Sequence, residues 1–113
     1  QRISKRYGDV PLRPGMVISN EPGYYKAGAW GIRIENLEVV RAAPHTDGGE
    51  LEMLMFEALT LAPIDLALVE PALMTPAEIA WLDAYHARVR ETITPLVDGE
   101  TAAGLKDATR ALG

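Results

Sequence analysis

The spacing of apolar residues changes character near Pro63. Before it, short apolar runs separated by glycine, proline and polar clusters predict strands at Met16–Glu21, Ile32–Val40 and Leu51–Leu61. The third run is apolar on both faces except for Glu57, a pattern typical of a strand in the middle of a sheet. We therefore predict β-structure for residues 1–62 and a mainly helical segment for residues 63–113.

The helical segment carries a strong start signal at Thr75-Pro76-Ala77-Glu78. Thr75 can cap the helix, Pro76 suits its first position, and Glu78 can reach back to complete a capping box. Pro95 removes a backbone donor and is expected to end or kink the helix near Glu91–Thr94. A final helix is predicted over Glu100–Leu112. Apolar residues and one histidine form a single stripe on the first helix: Ile79, Leu82, His86, Val89, Ile93 and Leu96.

The chemistry is concentrated between the first two predicted strands. Pro22 favours an extended Glu21, and Pro22-Gly23 suits the centre of a type II turn. If the following bend is centred on Gly28, Glu21 and Glu35 lie directly opposite each other. Because side chains alternate along a strand, Arg33 and Glu35 share one face.

Two carboxylates on neighbouring strands could hold a pair of metal ions. Adjacent strands are about 4.8 Å apart, and paired metals in hydrolases are about 3.5–4 Å apart. Oxygen ligands suit hard ions such as Mn²⁺ or Mg²⁺. Spacing alone leaves a second interpretation open, in which Glu35 pairs with Arg33 or a lysine at the sheet surface.

Composition narrows the class of protein. The 113 residues fit one domain, and a net charge of −5, from 16 acidic and 11 basic residues, disfavours a nucleic-acid partner. No apolar run reaches the roughly 18 residues of a membrane helix, and no signal-peptide pattern opens the chain. The absence of cysteine excludes disulfides and is compatible with a cytoplasmic location. Because the chain begins with Gln1, we expect a processed or partial chain.

The exact residues around the two glutamates resemble a known family signature. Asn20-Glu21-Pro22-Gly23-Tyr24-Tyr25 and Gly31-Ile32-Arg33-Ile34-Glu35-Asn36 closely resemble the motifs of Xaa-Pro aminopeptidases, also called aminopeptidase P. The resemblance extends to the lead-in Val10–Met16, the strand and its exit at Phe56–Asp65, and the helical Trp81–His86. It therefore covers nearly the whole chain.

The resemblance implies a fold and a partial active site. The fold would be α+β, the C-terminal part of a pita-bread fold, with a curved, mainly antiparallel sheet in 1–62 and a helical extension packed on it in 63–113. The family binds two divalent metals, for which Mn²⁺ is expected here, through two aspartates, a histidine and two glutamates. Glu21 and Glu35 match the two glutamates, and Glu35 matches the one that bridges the metals.

The same resemblance implies roles in catalysis. The family hydrolyses the peptide bond before a proline in the second position, and Glu21 would also shuttle the proton. Arg33 matches an arginine that orients the acidic ligands, and Tyr25 matches a tyrosine near them. The two aspartates and the ligand histidine would lie upstream of Gln1. His45, in a loop, and His86, on the helical stripe, are not expected to replace that histidine.

Several alternatives stay open on the sequence. Trp81 and Tyr85, one helical turn apart, are expected to be buried in the core or in a homodimer interface, since longer family members pair through this region. Glu57 could pair with Arg33 or Arg41, or lie near the metals. A pita-bread module without catalytic activity, which binds peptide or protein, and a related prolidase or creatinase remain alternative functions.

Overall fold

The computed structural model describes residues 10–113, so the β-structure predicted for residues 1–9 lies outside the described range. The chain divides into two compact units, the first ending at Thr60 and the second spanning Leu61–Gly113. The packing of the helical part on the sheet, which the sequence predicts, stays a prediction. Each unit is described by itself below.

The first unit consists of antiparallel strands. They are β1 (Val17–Asn20), β2 (Gly23–Lys26), β3 (Trp30–Arg33), β4 (Asn36–Ala42) and β5 (Leu54–Ala58). β4 lies between β1 and β5 in a three-stranded sheet, while β2 and β3 form a two-stranded ladder. Ile18, Val39 and Val40 form the buried core of this unit. The predicted antiparallel character is confirmed.

The two ladders share one register. Asn20 faces Asn36 in the first ladder and Gly23 faces Arg33 in the second, so both are symmetric about Gly28. Between them, the N–H of Ile34 donates to the carbonyl oxygen of Pro22 at 3.2 Å. Proline has no N–H with which to return the bond, so regular pairing breaks there. The single strand predicted over Ile32–Val40 is thus two strands, with Glu35 in the gap.

The type II turn predicted at Pro22-Gly23 does not form, whereas the bend predicted around Gly28 does. Gly23 begins β2 and does not have a positive φ, which a type II turn requires at that position. The reversal lies at the tip of the ladder, where the N–H of Ala29 donates to the carbonyl of Lys26 at 3.1 Å. Gly28 has a φ of 70°, a conformation that glycine adopts without a steric cost.

The central position predicted for the third strand is not found among the described residues. In residues 10–113, β5 lies at the edge of the three-stranded sheet and spans less than the predicted Leu51–Leu61. Leu54, Met55 and Phe56 are each more than 40% exposed. An apolar run on both faces favours burial on both faces, but it does not identify the neighbouring strands that would provide it.

The second unit contains α1 (Pro76–Ile93) and α2 (Gly99–Ala108), together with short 3-10 segments at Leu66–Leu68, Pro71–Leu73 and Thr94–Leu96. The predicted capping box is confirmed. The N–H of Thr75 donates to Oε2 of Glu78 at 2.8 Å, and the N–H of Glu78 donates to Oγ1 of Thr75 at 3.3 Å. These bonds lower the pKa of Glu78. As predicted, α1 ends just before Pro95, whereas α2 ends four residues before the expected Leu112.

The helical stripe is buried over its central part. Leu82, His86 and Val89 are buried, whereas Leu96, which lies beyond the end of α1, is 73% exposed. Tyr85 is also buried, and its hydroxyl donates to the carbonyl oxygen of Ala62 at 2.8 Å. Trp81 stacks on Tyr85 with ring centroids 5.5 Å apart, yet it is 54% exposed. Trp81 is therefore not buried within the helical unit, because its position lies at the side of the buried stripe. Its burial in a helix–sheet core or in a homodimer interface stays a prediction.

His86 is a neutral, structural residue in this unit. Its Nε2 accepts the N–H of Ile64 at 3.0 Å, so the neutral ring carries its proton on Nδ1. Nδ1 is buried and has no hydrogen bond of ordinary geometry within residues 10–113, although the backbone of Arg110 lies close enough to favour the protonated form. Burial is the largest influence and lowers the pKa of His86; Asp83 opposes it, and Arg90 adds to it.

The lowered pKa of His86 predicts a loss of stability in acid. Unfolded histidine has a pKa of about 6.5, so the stabilisation is complete above that pH and is lost as pH falls through the lower folded pKa. Denaturant unfolding followed by helix circular dichroism should show a smaller free energy of unfolding on acidification. The variant His86→Gln should flatten this dependence, while His45→Gln, on an exposed loop residue, should preserve it. Equal pH slopes for His86→Gln and the parent would contradict the assignment.

Candidate metal-binding site

The candidate site lies on one face of the ribbon formed by β1 to β4. Because the register is symmetric about Gly28 on both sides of the break, odd-numbered residues remain on the same face throughout. That face carries Ser19, Glu21, Tyr25, Arg33 and Glu35. Glu21 and Glu35 occupy the gap between the ladders, next to the pair formed by Pro22 and Ile34.

Arg33 contacts both glutamates. Its Nη1 lies 3.0 Å from Oε2 of Glu21 and 3.5 Å from Oε2 of Glu35. Both carboxylates therefore reach the same nitrogen, on the same side of the ribbon. The three side chains are nearly half exposed, so the ion pairs themselves contribute little to stability.

Tyr25 holds the other edge of the guanidinium. Nε of Arg33 donates to the Tyr25 hydroxyl at 3.0 Å. This hydrogen bond is the largest cause that raises the pKa of Arg33, followed by the electrostatic interaction with Tyr25 and then by the charges of Glu21 and Glu35. Arg33 thus stays a cation, with one edge on a phenol and the other on two carboxylates.

Two glycines, whose role sequence reasoning missed, make room for the Tyr25 ring. A Cβ on Gly31, the cross-strand partner of Tyr25, would lie 2.7 Å from Cδ1 of the ring. A Cβ on Gly23 would lie 2.7 Å from the tyrosine hydroxyl oxygen. The signal was present in the sequence, since glycine occupies both neighbouring positions on the face of Tyr25. The ring therefore lies across bare backbone and reaches Arg33.

Ser19 is a second residue that sequence reasoning did not single out. Its hydroxyl donates to Oε1 of Glu21 at 2.9 Å. The spacing of two residues on a strand places both side chains on one face, which was the available signal. Glu57, whose partner the sequence left open, pairs with Arg41 at 2.7 Å.

The described residues contain only part of a metal site. No group of three or more histidine, cysteine, aspartate or glutamate side chains within residues 10–113 is arranged to hold a metal ion. His45 is exposed in its loop, and His86 is buried in the second unit. Glu21 and Glu35 are exposed carboxylates that converge on the guanidinium of Arg33. Two such oxygen donors fit one part of a site for hard divalent ions.

Comparison with known proteins defines the class. Residues 1–42 match metallopeptidase family M24, and residues 52–112 match the C-terminal region of peptidase M24. The chain belongs to the M24 metallopeptidases. Relatives of this chain within that family include aminopeptidases P, as the sequence motifs predicted.

Two plant relatives illustrate the similarity. The chain is 50% identical over 104 residues to "Aminopeptidase P2" of Arabidopsis thaliana, with 89% of this chain covered. It is 41% identical over 113 residues to "Aminopeptidase P1" of Lotus japonicus, with 98% covered. The chain spans only 14% and 17% of the lengths of these two relatives.

A solved structure confirms the predicted fold. The X-prolyl aminopeptidase of Caenorhabditis elegans, described as a cytosolic enzyme with a di-nuclear active site, matches with a TM-score of 0.79 and 33% identity. The match covers 89% of this chain and 17% of that chain. The fold is thus the α+β pita-bread fold, of which this chain forms a part. No helix within residues 10–113 has the length and apolarity needed to cross a membrane.

The space that Gly31 leaves for the Tyr25 ring can be tested by adding one methyl group at that position. In Gly31→Ala, the new Cβ would clash with the ring, so Tyr25 should rotate away and release Nε of Arg33. The Nε–H resonance of Arg33, followed by NMR, should move toward its position in Tyr25→Phe.

Gly104→Ala is the matched control. No atom lies within 4 Å of a Cβ at Gly104, and the residue lies inside α2, where alanine is favoured over glycine by about 1 kcal/mol. This control should gain stability without moving the Arg33 resonance. An unchanged Arg33 resonance in Gly31→Ala would show that the glycine is not needed for the tyrosine contact.

Proposed function

We propose that this chain forms part of a metal-dependent Xaa-Pro aminopeptidase and supplies Glu21 and Glu35 as ligands of a dinuclear metal centre. The observation that carries the proposal is the convergence of both carboxylates on Nη1 of Arg33. The named relatives and the M24 match supply the reaction class. The substrate would be a peptide with proline in its second position.

The chemistry of the donor groups supports two divalent ions. Carboxylate oxygens are ligands that hard ions such as Mn²⁺ prefer, and the nematode relative is described as having a di-nuclear site. Such metals, when bound, polarise the scissile carbonyl and activate water. The two aspartates and one histidine implied by the family resemblance would complete the site from preceding residues of the enzyme.

The roles of the other side chains follow from their contacts. Glu21, an exposed carboxylate at the site, is suited to accept a proton and pass it on. Arg33 orients both glutamates, which a planar guanidinium does better than the point charge of lysine. Tyr25 acts through Arg33 by holding Nε, which leaves Nη1 directed at the carboxylates.

Assembly and location are further parts of the proposal. Trp81 is a half-exposed aromatic residue stacked on the buried Tyr85, and exposed aromatics are enriched at protein interfaces. We assign it to a homodimer contact formed by the helical unit. A cytoplasmic location is supported by the description of the nematode relative as cytosolic.

The proposal is tested by metal content and turnover of the complete enzyme. Glu35→Ala should lose bound metal and Xaa-Pro hydrolysis, because a carboxylate ligand is removed. Glu52→Ala, in an exposed loop, should keep both. Metal would be measured by plasma emission spectrometry after dialysis, and turnover with a peptide carrying proline in the second position.

The 113-residue chain alone should not turn over the peptide, since its described residues hold no complete ligand set. Robust Mn²⁺-dependent turnover by this chain, abolished by Glu35→Ala, would show that the site needs no other segment. A complete protein that binds peptide with neither metal nor hydrolysis would instead support the module without catalytic activity.

A further inference from the structure

The two glutamates of the site are held unequally. Oε1 of Glu21 accepts the hydroxyl of Ser19 at 2.9 Å, and its Oε2 accepts Nη1 of Arg33 at 3.0 Å. Glu35 has one contact within residues 10–113, at 3.5 Å from the same nitrogen. Glu21 therefore has a separate partner on each oxygen, while Glu35 shares the partner of Glu21.

The direction of the Ser19 hydrogen bond is set by chemistry. An ionised carboxylate only accepts hydrogen bonds, so the serine hydroxyl must donate. Bonds of this kind are shorter and stronger than those between neutral groups. Ser19 also lies on β1, paired with Leu37 of β4, so its backbone is fixed by the three-stranded sheet.

The second bond changes how Glu21 can move. With Arg33 alone, the carboxylate could turn about the oxygen held by Nη1, and Arg33 also contacts Glu35. A hydroxyl on the other oxygen removes that freedom and fixes the plane of the carboxylate. The geometry points to Ser19 as a positioning residue that orients Glu21 for metal binding, an inference that rests on the proposed function.

The test compares removal and restoration of the hydroxyl in the complete enzyme. Ser19→Ala should weaken Mn²⁺ binding about 10-fold, the lower range for loss of a group that supports a ligand. Ser19→Thr, which keeps the hydroxyl on a strand, should restore the affinity. Metal affinity would be measured by titration calorimetry of the demetallated protein, and activity as separate kcat and KM values.

Four readouts separate positioning from a merely structural role. In Ser19→Ala, kcat at subsaturating metal should fall with metal occupancy, and KM for the peptide should stay within about two-fold. The unfolding temperature of the demetallated protein should stay unchanged, since weaker metal binding lowers only that of the metal-bound form. The control Thr92→Ala removes a hydroxyl that donates to the Arg88 carbonyl on α1, and should leave metal affinity unchanged. In the complete demetallated enzyme, the NMR carboxyl carbon shift of Glu21 should change in Ser19→Ala more than that of Glu35.

The outcomes distinguish this inference from the proposed function. If the parent enzyme binds metal and Ser19→Ala binds it equally well, the role of Ser19 is wrong and the proposed function stands. Failure of Ser19→Thr to restore the affinity would overturn the role as well, since the hydroxyl would not be what matters. A parent that binds no metal would instead overturn the proposed function, on which the inference rests.

Discussion

One backbone hydrogen bond, from Ile34 to the carbonyl of Pro22, keeps two short ladders in a common register. Proline interrupts the pairing by withholding a donor, yet no residue is inserted or lost on either strand. A slip of one residue would move Glu35 to the face opposite Glu21. The alignment of the two carboxylates thus depends on a break that leaves the register intact.

At this break in the pairing, the backbone and the charged side chains have different roles. Arg33, Glu21 and Glu35 are nearly half exposed, and exposed ion pairs contribute little to stability. They are too weak to bring the strands together, so the pairing of β1 with β4 and of β2 with β3 must place them. Arg33 then neutralises part of the repulsion between two like charges that the fold has already brought close.

Much of the fold was accessible from local rules. The symmetry of the hairpin about Gly28, the capping box of Thr75 and the end of α1 before Pro95 each depend on residues close in sequence. The meeting of Glu21, Arg33 and Glu35 follows from that symmetry and the alternation of side chains. Their metal-binding roles rested on motif resemblance, since spacing alone did not favour a metal site over a surface ion pair.

The features that the sequence did not predict depend on residues that are neighbours in space but not in sequence. The apolar pattern of β5 did not reveal its place at the edge of the three-stranded sheet within residues 10–113. The helical spacing placed Trp81 beside the stripe but did not reveal that its side chain is about half exposed. Gly31 leaves space for the Tyr25 ring, but the sequence does not show that this ring lies across the neighbouring strand.

The edge position of β5 has a practical consequence for the chain in isolation. Leu54, Met55 and Phe56 are all substantially exposed, and no further strand borders β5 within the described range. An exposed apolar edge is a template for pairing with another molecule, and β5 contains neither lysine nor proline to oppose it. Aggregation of the separately produced chain is therefore favoured at this edge, and a lysine in place of Met55 would act as a gatekeeper.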